Sequence, residues 1–129
     1  MNEEAINALV ADWDEVYKKG QLSLWILLAI ADGKKYAAQI TYYMSVATNG
    51  TFEVKEQSLY RALRRFSMMG LVKISEEQSP NSGPKRKYYE LTQDGQVVLG
   101  SFVQLHISPL FAPSIQSLLK QVEAKGIQS

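Results

Sequence analysis

Residues 56–92 restrict the fold most, because a helical pattern there gives way to the pattern of a β-hairpin. Apolar side chains in residues 56–69 recur at three- and four-residue steps, which predicts an amphipathic helix. The alternating run "GLVKIS" predicts a strand over residues 70–75, and "KYYELT" predicts a second strand over residues 87–92. Residues 76–85 between them are polar and contain two prolines and one glycine, which predicts a long loop.

The chain before this segment predicts three more helices. Residues 3–17 repeat apolar side chains at helical spacing, and Lys18-Lys19-Gly20 predicts the end of that helix, since cations and glycine are favoured at helix C-termini. Residues 22–31 are apolar almost all round, which predicts a buried helix. Residues 35–48 predict the next helix, whose inward-facing residues are expected to be Ala37, Ile40, Tyr43 or Met44, and Ala47.

Two helices are predicted after the hairpin. Thr92 is expected to cap the first of them, and Asp94 lies in its first turn, where an acidic side chain is favourable. Pro109 and Pro113 are expected to interrupt this helix, because proline lacks a backbone N–H and clashes with the preceding turn. Residues 113–126 predict a last helix, whose apolar stripe is Ile115, Leu118, Leu119 and Val122.

Three helices followed by a hairpin with a protruding loop is the order of a winged helix-turn-helix, in which the hairpin is the wing. The predicted fold class is therefore mostly α with a small β-hairpin wing (α+β), a winged helix-turn-helix with flanking N- and C-terminal dimerisation helices. We expect an N-terminal helix for dimerisation or packing in residues 1–20, the DNA-binding domain in 21–92 and a C-terminal helical dimerisation region in 93–129. The terminal helices carry more apolar surface than one small core needs, which favours a homodimer.

Composition argues against several classes of function. The 129 residues include no cysteine and one histidine, His106, so we expect no disulfide and no metal site. We find no nucleophile motif, glycine-rich phosphate loop or His–acid pair, and we expect no cofactor and no enzymatic activity; the Glu76-Glu77 pair is expected to be a solvated part of the loop. Residues 24–31 form the longest apolar run, too short for a membrane span, and the acidic N-terminus lacks the basic region of a secretory signal.

Positive charge is concentrated in one part of a chain whose net charge is only +1. Residues 1–16 contain five acidic side chains and no Lys or Arg. Residues 55–87 contain eight Lys or Arg, including all four arginines, against three Glu. A basic region in an otherwise near-neutral chain favours a polyanionic partner.

The outer face of the predicted helix 56–69 carries the residue types that read DNA. An α-helix fits the major groove, where Arg pairs with guanine and Gln with adenine, while Tyr and Ser contact phosphates. A solvated helix face of this composition is also common, so the helix alone does not decide the function. With Leu59 facing the core, the opposite side carries Gln57, Arg61, Arg64 and Met68, with Tyr60 on one shoulder and Ser58 and Arg65 on the other.

The hairpin adds a second basic surface at its tip, where Lys85, Arg86 and Lys87 follow one another. Such cations are expected to lie against backbone phosphates, where they add affinity through counterion release and carry little sequence information. Alternation along the second strand places Tyr88 and Tyr89 on opposite faces, and we expect Tyr89 to pack inward.

These residues resemble the PadR family of winged-helix transcriptional regulators. "SLYRALRRFSMMGLV" and "GPKRKYYELTQDG" match the Leu-Tyr pair of the family's recognition helix, its Gly-Leu entry into the wing, and its Gly-Pro, basic, Tyr-Tyr and Leu-Thr wing followed by Gly. The similarity covers about residues 22–100. The chain departs from the family at Tyr36-Ala37-Ala38, where His-Gly-Tyr is frequent, and at Phe66, where Leu is usual. The matching residues are Leu59, Tyr60, Leu63, Gly70, Leu71, Gly83, Pro84, Arg86, Lys87, Tyr88, Tyr89, Leu91, Thr92 and Gly95.

The resemblance implies a cytoplasmic repressor of bacterial type, with no membrane partner. Such a protein would form a homodimer through its terminal helices, bind a pseudo-palindromic operator in double-stranded DNA, and be released by a small apolar or aromatic effector. The expected DNA-binding residues are Gln57, Ser58, Tyr60, Arg61, Arg64, Arg65, Lys85, Arg86 and Lys87.

The effector pocket is expected between the terminal helices and the winged core, with Trp13, Trp25 and Phe102 in its lining; core or dimer-interface roles are the alternative for these aromatics. Two other interpretations stay open. One is a winged-helix module that docks a protein instead of DNA, which the cations on helix and wing disfavour. The other is a regulator of the related MarR type, which the short polar wing disfavours.

Overall fold

The computed structural model describes residues 1–79 and 83–128, including side chains up to residue 126. The chain divides into two compact units, Met1–Gln96 and Val97–Ser129. The described residues are mostly helical and contain one two-stranded antiparallel hairpin, which confirms the predicted mostly α fold with a small β-hairpin wing; the dimerisation role of the terminal helices stays a prediction. The elements are α1 (Glu3–Ala31), α2 (Ala37–Ala47), α3 (Glu56–Met68), β1 (Val72–Glu77), β2 (Arg86–Leu91), α4 (Gln93–His106), a 3₁₀ turn (Ser108–Phe111) and α5 (Pro113–Gln128).

The N-terminal part of the chain is one continuous helix of 29 residues, α1. The prediction that Lys18-Lys19-Gly20 ends a helix is therefore wrong. A single helical glycine costs only about 1 kcal/mol relative to alanine, so strong helix-forming residues on both sides propagate the helix through it. The ion pair between Asp14 and Lys18, with 2.9 Å between Oδ2 and Nζ, adds support just before Gly20.

The core of the first unit is built from one stripe of each helix and the base of the hairpin. α1 contributes its C-terminal end, where Ile26 and Ile30 are buried, and α2 contributes Ile40 and Met44. Ala47 is exposed although it was expected to face inward, because it is the last residue of α2, nearly a turn beyond Met44. The predicted stripe of α3 is confirmed, since Leu59, Ala62, Leu63 and Phe66 are all buried.

The hairpin strands pair antiparallel, from Val72 opposite Leu91 to Glu77 opposite Arg86. The first strand is thus shifted by two residues from its predicted range, and the prediction that Glu76 and Glu77 belong to the loop is wrong. Opposite charges face each other in the added pairs, Glu77 with Arg86 and Glu76 with Lys87. Such cross-strand neighbours favour the sheet, which is a physical reason for the strands to extend this far.

The same pairing corrects the position of the three basic residues. Arg86 and Lys87 lie in β2, and only Lys85 lies in the connecting loop. Residues 80–82 of the predicted loop lie outside the described residues. Tyr89 is buried and Tyr88 only half-buried, which confirms the predicted inward orientation of Tyr89.

Thr92 joins the hairpin to α4 as its predicted cap. Its Oγ1 accepts a hydrogen bond from the Gly95 N–H at 3.0 Å and donates one to the Gly70 carbonyl at 2.6 Å. The Thr92 N–H donates to the Leu71 carbonyl at 3.0 Å. Backbone therefore packs against backbone here, and a side-chain carbon at Gly95 would collide with the Leu71 carbonyl.

The second unit begins within α4 and contains the predicted interruption. α4 ends at His106, the 3₁₀ turn contains Pro109, and Pro113 is the first residue of α5. Proline at the first position of a helix is favourable because its missing N–H has no partner there in any case.

Candidate nucleic-acid interface

The side of α3 opposite the core faces solvent. Gln57, Arg61 and Arg64 are exposed, and together with Tyr60 they line a surface cleft of about 370 Å³. The buried stripe of α3 fixes the helix, so the orientation of this polar face follows from the packing of its apolar face. We call these four residues the helix face.

Two of the predicted α3 residues point elsewhere. The Arg65 guanidinium lies 3.5 Å from the Ser23 Oγ of α1 and 5.3 Å from the centre of the Phe66 ring. Ser58 is half-buried. The sequence predicts both on the shoulder of the outer face; in the structure Arg65 is exposed, and neither residue lines the cleft of the helix face.

The cations of the wing have different surroundings from one another. Lys85 and Lys87 are exposed, whereas Arg86 is half-buried, with its guanidinium 4.3 Å from the centre of the Tyr36 ring. An arginine over an aromatic face is attracted by the electron density of the ring and is held there more firmly than a free surface cation. Arg86 is therefore positioned by the residue that precedes α2.

A second cleft, of about 410 Å³, brings three elements together. Tyr60 comes from α3, and Arg86 and Lys87 come from β2. Tyr60 also lines the cleft of the helix face, so the helix face and the wing cations share one side of the first unit. The remaining lining residues are Tyr36, Ala37, Ala38 and Tyr89. We call these seven residues the wing cleft.

The short connection between α1 and α2 anchors the wing, a contribution that sequence analysis missed. Lys34 Nζ lies 2.9 Å from both carboxylate oxygens of Glu77, at the end of β1. Lys35 and Tyr89 exchange backbone hydrogen bonds of 3.1 and 2.8 Å, and the Tyr36 and Tyr88 rings meet edge to face at 5.6 Å. The contacting residues of this connection are only Lys34, Lys35 and Tyr36, too few to show a helical or strand period. The sequence therefore gives no signal for these contacts with the wing.

The ion pair at the end of β1 shifts both of its partners. The hydrogen bond to Glu77 raises the pKa of Lys34, and the hydrogen bonds from Lys34 and Ser75 lower the pKa of Glu77. Glu77 is consequently occupied by Lys34, and Arg86, its neighbour across the strands, forms no ion pair within the described residues.

Burial raises the pKa of the Tyr89 hydroxyl, and the neighbouring Tyr60 raises it further. The hydroxyl is therefore protonated at neutral pH. Tyr89 is only 4% exposed.

The residues predicted for an effector pocket are partly or largely exposed. Trp13 is 74% exposed, Phe102 is 42% exposed, and Trp25 is half-buried. None of the three lines the clefts formed by the described residues at α2, α3 and the wing. Two other aromatic residues, Tyr42 and Tyr43, line a cavity of about 830 Å³ along α2.

His106 packs its ring 4.8 Å from that of Phe102, at the end of α4. Across residues 1–79 and 83–128, the acidic and histidine side chains form no group of three that would hold a metal ion. Within the same ranges, no helix has both the length and the apolar content required to cross a bilayer.

Sequence comparison relates the chain to known proteins. The profile of the PadR-like transcriptional regulator family matches residues 26–101. An uncharacterised protein of Lysinibacillus sphaericus is 30% identical over 86 residues, which are 67% of this chain and 78% of that protein.

Solved structures show the same relationship. A PadR-like transcriptional regulator from Bacillus cereus is 29% identical and superposes with a TM-score of 0.63, covering 78% of this chain and 93% of that one. A transcriptional regulator from Clostridium thermocellum shares the fold at 22% identity, with a TM-score of 0.60 over 83% of this chain and 93% of that one. Bacillus subtilis PadR in complex with operator DNA shares it at 21% identity and a TM-score of 0.56, over 64% of this chain and 46% of that one.

Proposed function

Since this chain belongs to the PadR-like family of transcriptional regulators, we propose that it binds a pseudo-palindromic operator in duplex DNA as a homodimer. We further propose that it acts in the cytoplasm as a repressor that a small apolar or aromatic effector releases. The family is one of transcriptional regulators, which confirms the prediction that the chain is not an enzyme.

One observation carries the proposal of DNA binding: Tyr60 lines both the cleft of the helix face and the wing cleft. Basic side chains of α3 and β2 therefore flank a common surface. A duplex offers a groove for a helix between two phosphate ridges, and this surface offers a polar helix beside a cationic hairpin. The Bacillus subtilis PadR solved with operator DNA supports the same use of the fold.

The residues divide into two roles under this proposal. Gln57, Arg61 and Arg64 reach base edges, because they are exposed on one side of a helix whose other side is fixed in the core. Lys85 and Lys87 contact phosphates, because they are exposed and come from the hairpin. Ser58 and Arg65 contribute less than the sequence predicts, since Ser58 is half-buried and Arg65 packs against Phe66.

Two subunits are needed for a pseudo-palindromic operator, with recognition helices about one helical turn (~34 Å) apart. The exposed apolar residues of α1 and α5, among them Trp13, Val16, Leu118 and Leu119, support a homodimer through the terminal helices. The effector proposal rests on Trp13, Trp25 and Phe102, which are aromatic and retain exposed surface.

Fluorescence titration of duplexes from the promoter of the chain's own gene, over a range of salt concentrations, tests the division of roles. Lys85→Ala should weaken binding to operator and random DNA alike and should reduce the salt slope by about one unit, because about 0.9 counterion is released per phosphate contact. Arg61→Ala should instead reduce discrimination between operator and random DNA, by about 1–3 kcal/mol for each base that the arginine would read.

Lys19→Ala is the matched control, because Lys19 is an exposed cation of α1 outside both clefts. This variant should retain the wild-type slope and discrimination. If Arg61→Ala and Lys85→Ala each lost the same affinity for operator DNA as for random DNA, the assigned roles would be contradicted. If the folded wild-type protein bound no duplex at all, a protein-docking winged helix would be the better interpretation.

A further inference from the structure

We propose that the cavity of about 830 Å³ along α2 is the site of the effector, and that it takes an uncharged planar aromatic molecule with a hydroxyl or carbonyl oxygen. Tyr42, Tyr43 and Val46 form its apolar wall, and we call it the α2 cavity. This inference rests on the proposed release from DNA by an effector. It gives the effector a different site from the predicted one beside the terminal helices.

The composition of α2 supplies the first observation. Its 11 residues, Ala37–Ala47, include no charged side chain. One side of the helix packs into the core through Ile40 and Met44, and the opposite side is also apolar, with Tyr42 72% and Val46 58% exposed. A helix that is apolar all round is usually buried, so the exposed side of α2 has the composition of a binding surface. The volume of the cavity lies within the range of small-molecule sites, about 300–1,000 Å³.

The charges at the N-terminal end of α2 select an uncharged ligand. Lys34 and Lys35 both line the cavity there. Lys34 Nζ lies 2.9 Å from both carboxylate oxygens of Glu77. Lys35 Nζ donates to three oxygens of residues 29–33, at 2.8, 2.9 and 3.2 Å, which uses all three of its N–H groups. Both cations are paired within the chain, and no acidic residue of the described ranges lines the cavity, so neither an anion nor a cation is favoured there.

The wall of the α2 cavity can orient a planar ligand. The Tyr42 ring is available for stacking because the side chain is largely exposed. The side-chain oxygen of Gln39 accepts a hydrogen bond from the Tyr36 N–H at 3.1 Å, which fixes the amide and leaves its NH₂ group as a donor. A ring with a hydroxyl or carbonyl oxygen would stack on the tyrosine and accept a hydrogen bond from this amide.

Two residues of the α2 cavity also hold the wing, which links ligand binding to DNA binding. Tyr36 lines both the α2 cavity and the wing cleft, and its ring contacts Tyr88 and Arg86 of β2. Lys34 lines the α2 cavity and binds Glu77 of β1. A ligand that displaces either side chain therefore changes the contacts that position the wing. Because such coupling is reciprocal, DNA must lower the affinity for the ligand by the same factor as the ligand lowers the affinity for DNA.

Isothermal titration calorimetry with 2-naphthol, an uncharged planar probe with one hydroxyl group, tests the site. Tyr42→Ala should weaken binding of 2-naphthol about tenfold, because it removes the ring on which the probe stacks. Tyr17→Ala is the matched control, because Tyr17 is an exposed tyrosine of α1 that does not line the cavity, and it should keep the wild-type affinity. Circular dichroism melting of each variant checks that it is folded.

Fluorescence titration of promoter duplexes, with and without saturating 2-naphthol, tests the link to the wing. The affinity of the wild type for DNA should fall at least about fivefold when 2-naphthol is bound. Tyr36→Leu removes the ring that contacts Arg86, and 2-naphthol should no longer change its affinity for DNA. Tyr36→Phe keeps the ring and should show the wild-type response.

The outcomes separate this inference from the proposed function. If the wild type did not bind 2-naphthol, or if Tyr42→Ala bound it as tightly as the wild type, the site would be overturned. If 2-naphthol bound in the α2 cavity and left the affinity for DNA unchanged, the cavity would not be the effector site. If the wild type bound 2-naphthol there but bound no duplex, the proposed function would fail and the ligand site would stand.

Discussion

Gly95 is the residue at which packing leaves the least choice of side chain. A Cβ at this position would collide with the Leu71 carbonyl, and the Gly95 N–H is also needed by the Thr92 cap. The connection between α3 and β1 therefore lies directly against the backbone at the start of α4. Any side chain at residue 95 must push the helix away from the hairpin.

Gly95→Ala should lower the free energy of unfolding by about 1–3 kcal/mol, the usual cost of forcing extra volume into a packed site. Gly100→Ala is the matched control, since Gly100 lies in the same helix and a Cβ there meets nothing within 4 Å. That variant should gain about 0.5–1 kcal/mol from better helix propensity. Urea unfolding measures both, and equal effects of the two substitutions would contradict the packing role of Gly95.

Tyr89 shows how far the sequence predicts a single side chain. Alternation along β2 predicts that it faces inward, and it is buried. The residues that line a cleft with it include Ala37 and Ala38 of α2 and Tyr60 of α3, which are far from it in the sequence. Strand periodicity predicts the face of the strand on which a side chain lies, whereas the residues that surround the side chain come from other elements.

At the scale of elements, the ion pair between Lys34 and Glu77 joins the α1–α2 connection to the wing. The pKa of Glu77 is lowered from its usual value of 4.5, so the folded state stabilises the charged carboxylate. This contribution is present above pH 4.5 and is lost as the pH falls through the lower pKa of the folded state. The pKa of Lys34 is raised from 10.5, so its contribution is present below pH 10.5 and is lost above it.

Lys34→Gln should therefore be less stable than the wild type at neutral pH, and the difference should shrink in acid as Glu77 is protonated. The effect should be small because both side chains are exposed. Urea unfolding at a series of pH values below and above 4.5 measures it. Lys19→Gln is the control, because it removes an exposed cation with no ion pair in the described residues, and it should show no such pH dependence. If Lys34→Gln lowered the free energy of unfolding by the same amount at every pH, the ion pair with Glu77 would not be the cause.

The elements also differ in how well the sequence predicts them. α3 matches its prediction because its apolar stripe persists over about two turns and local spacing decides the buried face. α1 is longer than predicted because Gly20 is a weak stop signal inside a strong helical sequence. β1 is displaced because Glu76 and Glu77 lie opposite Lys87 and Arg86 in the hairpin register, and strand pairing is not a local property.

At the scale of the whole molecule, the exposed apolar surface of the terminal helices is the main unexplained feature of a single chain. Leu9, Val10, Trp13 and Val16 of α1 are each more than half exposed, as are the stripe residues of α5 other than Ile115. Large apolar patches on a soluble protein mark interaction surfaces. A second copy of the chain is the partner that the proposed function requires.

The double substitution Leu118→Asp, Leu119→Asp should convert the proposed dimer into a monomer, because both side chains are about half exposed in one chain and would be buried between two. Sedimentation equilibrium at micromolar concentration measures the mass. Loss of dimerisation should also weaken operator binding, since one protein molecule would then reach only one half-site. Tyr42→Asp, at a 72% exposed position of α2, is the control and should leave the mass unchanged. If the double variant kept the wild-type mass, α5 would not be part of the interface.

The order of the elements, the buried stripe of α3 and the outward direction of Gln57, Arg61 and Arg64 were determined by the sequence alone, because each depends on residues within a few positions of one another. Tertiary structure alone decided which cations are free for a ligand. Arg65 turns to Ser23 and Lys34 to Glu77, partners separated by 42 and 43 residues in the chain. Long charged side chains have many rotamers of similar energy. The position of each charged group is therefore determined by the distant groups that folding brings within its reach.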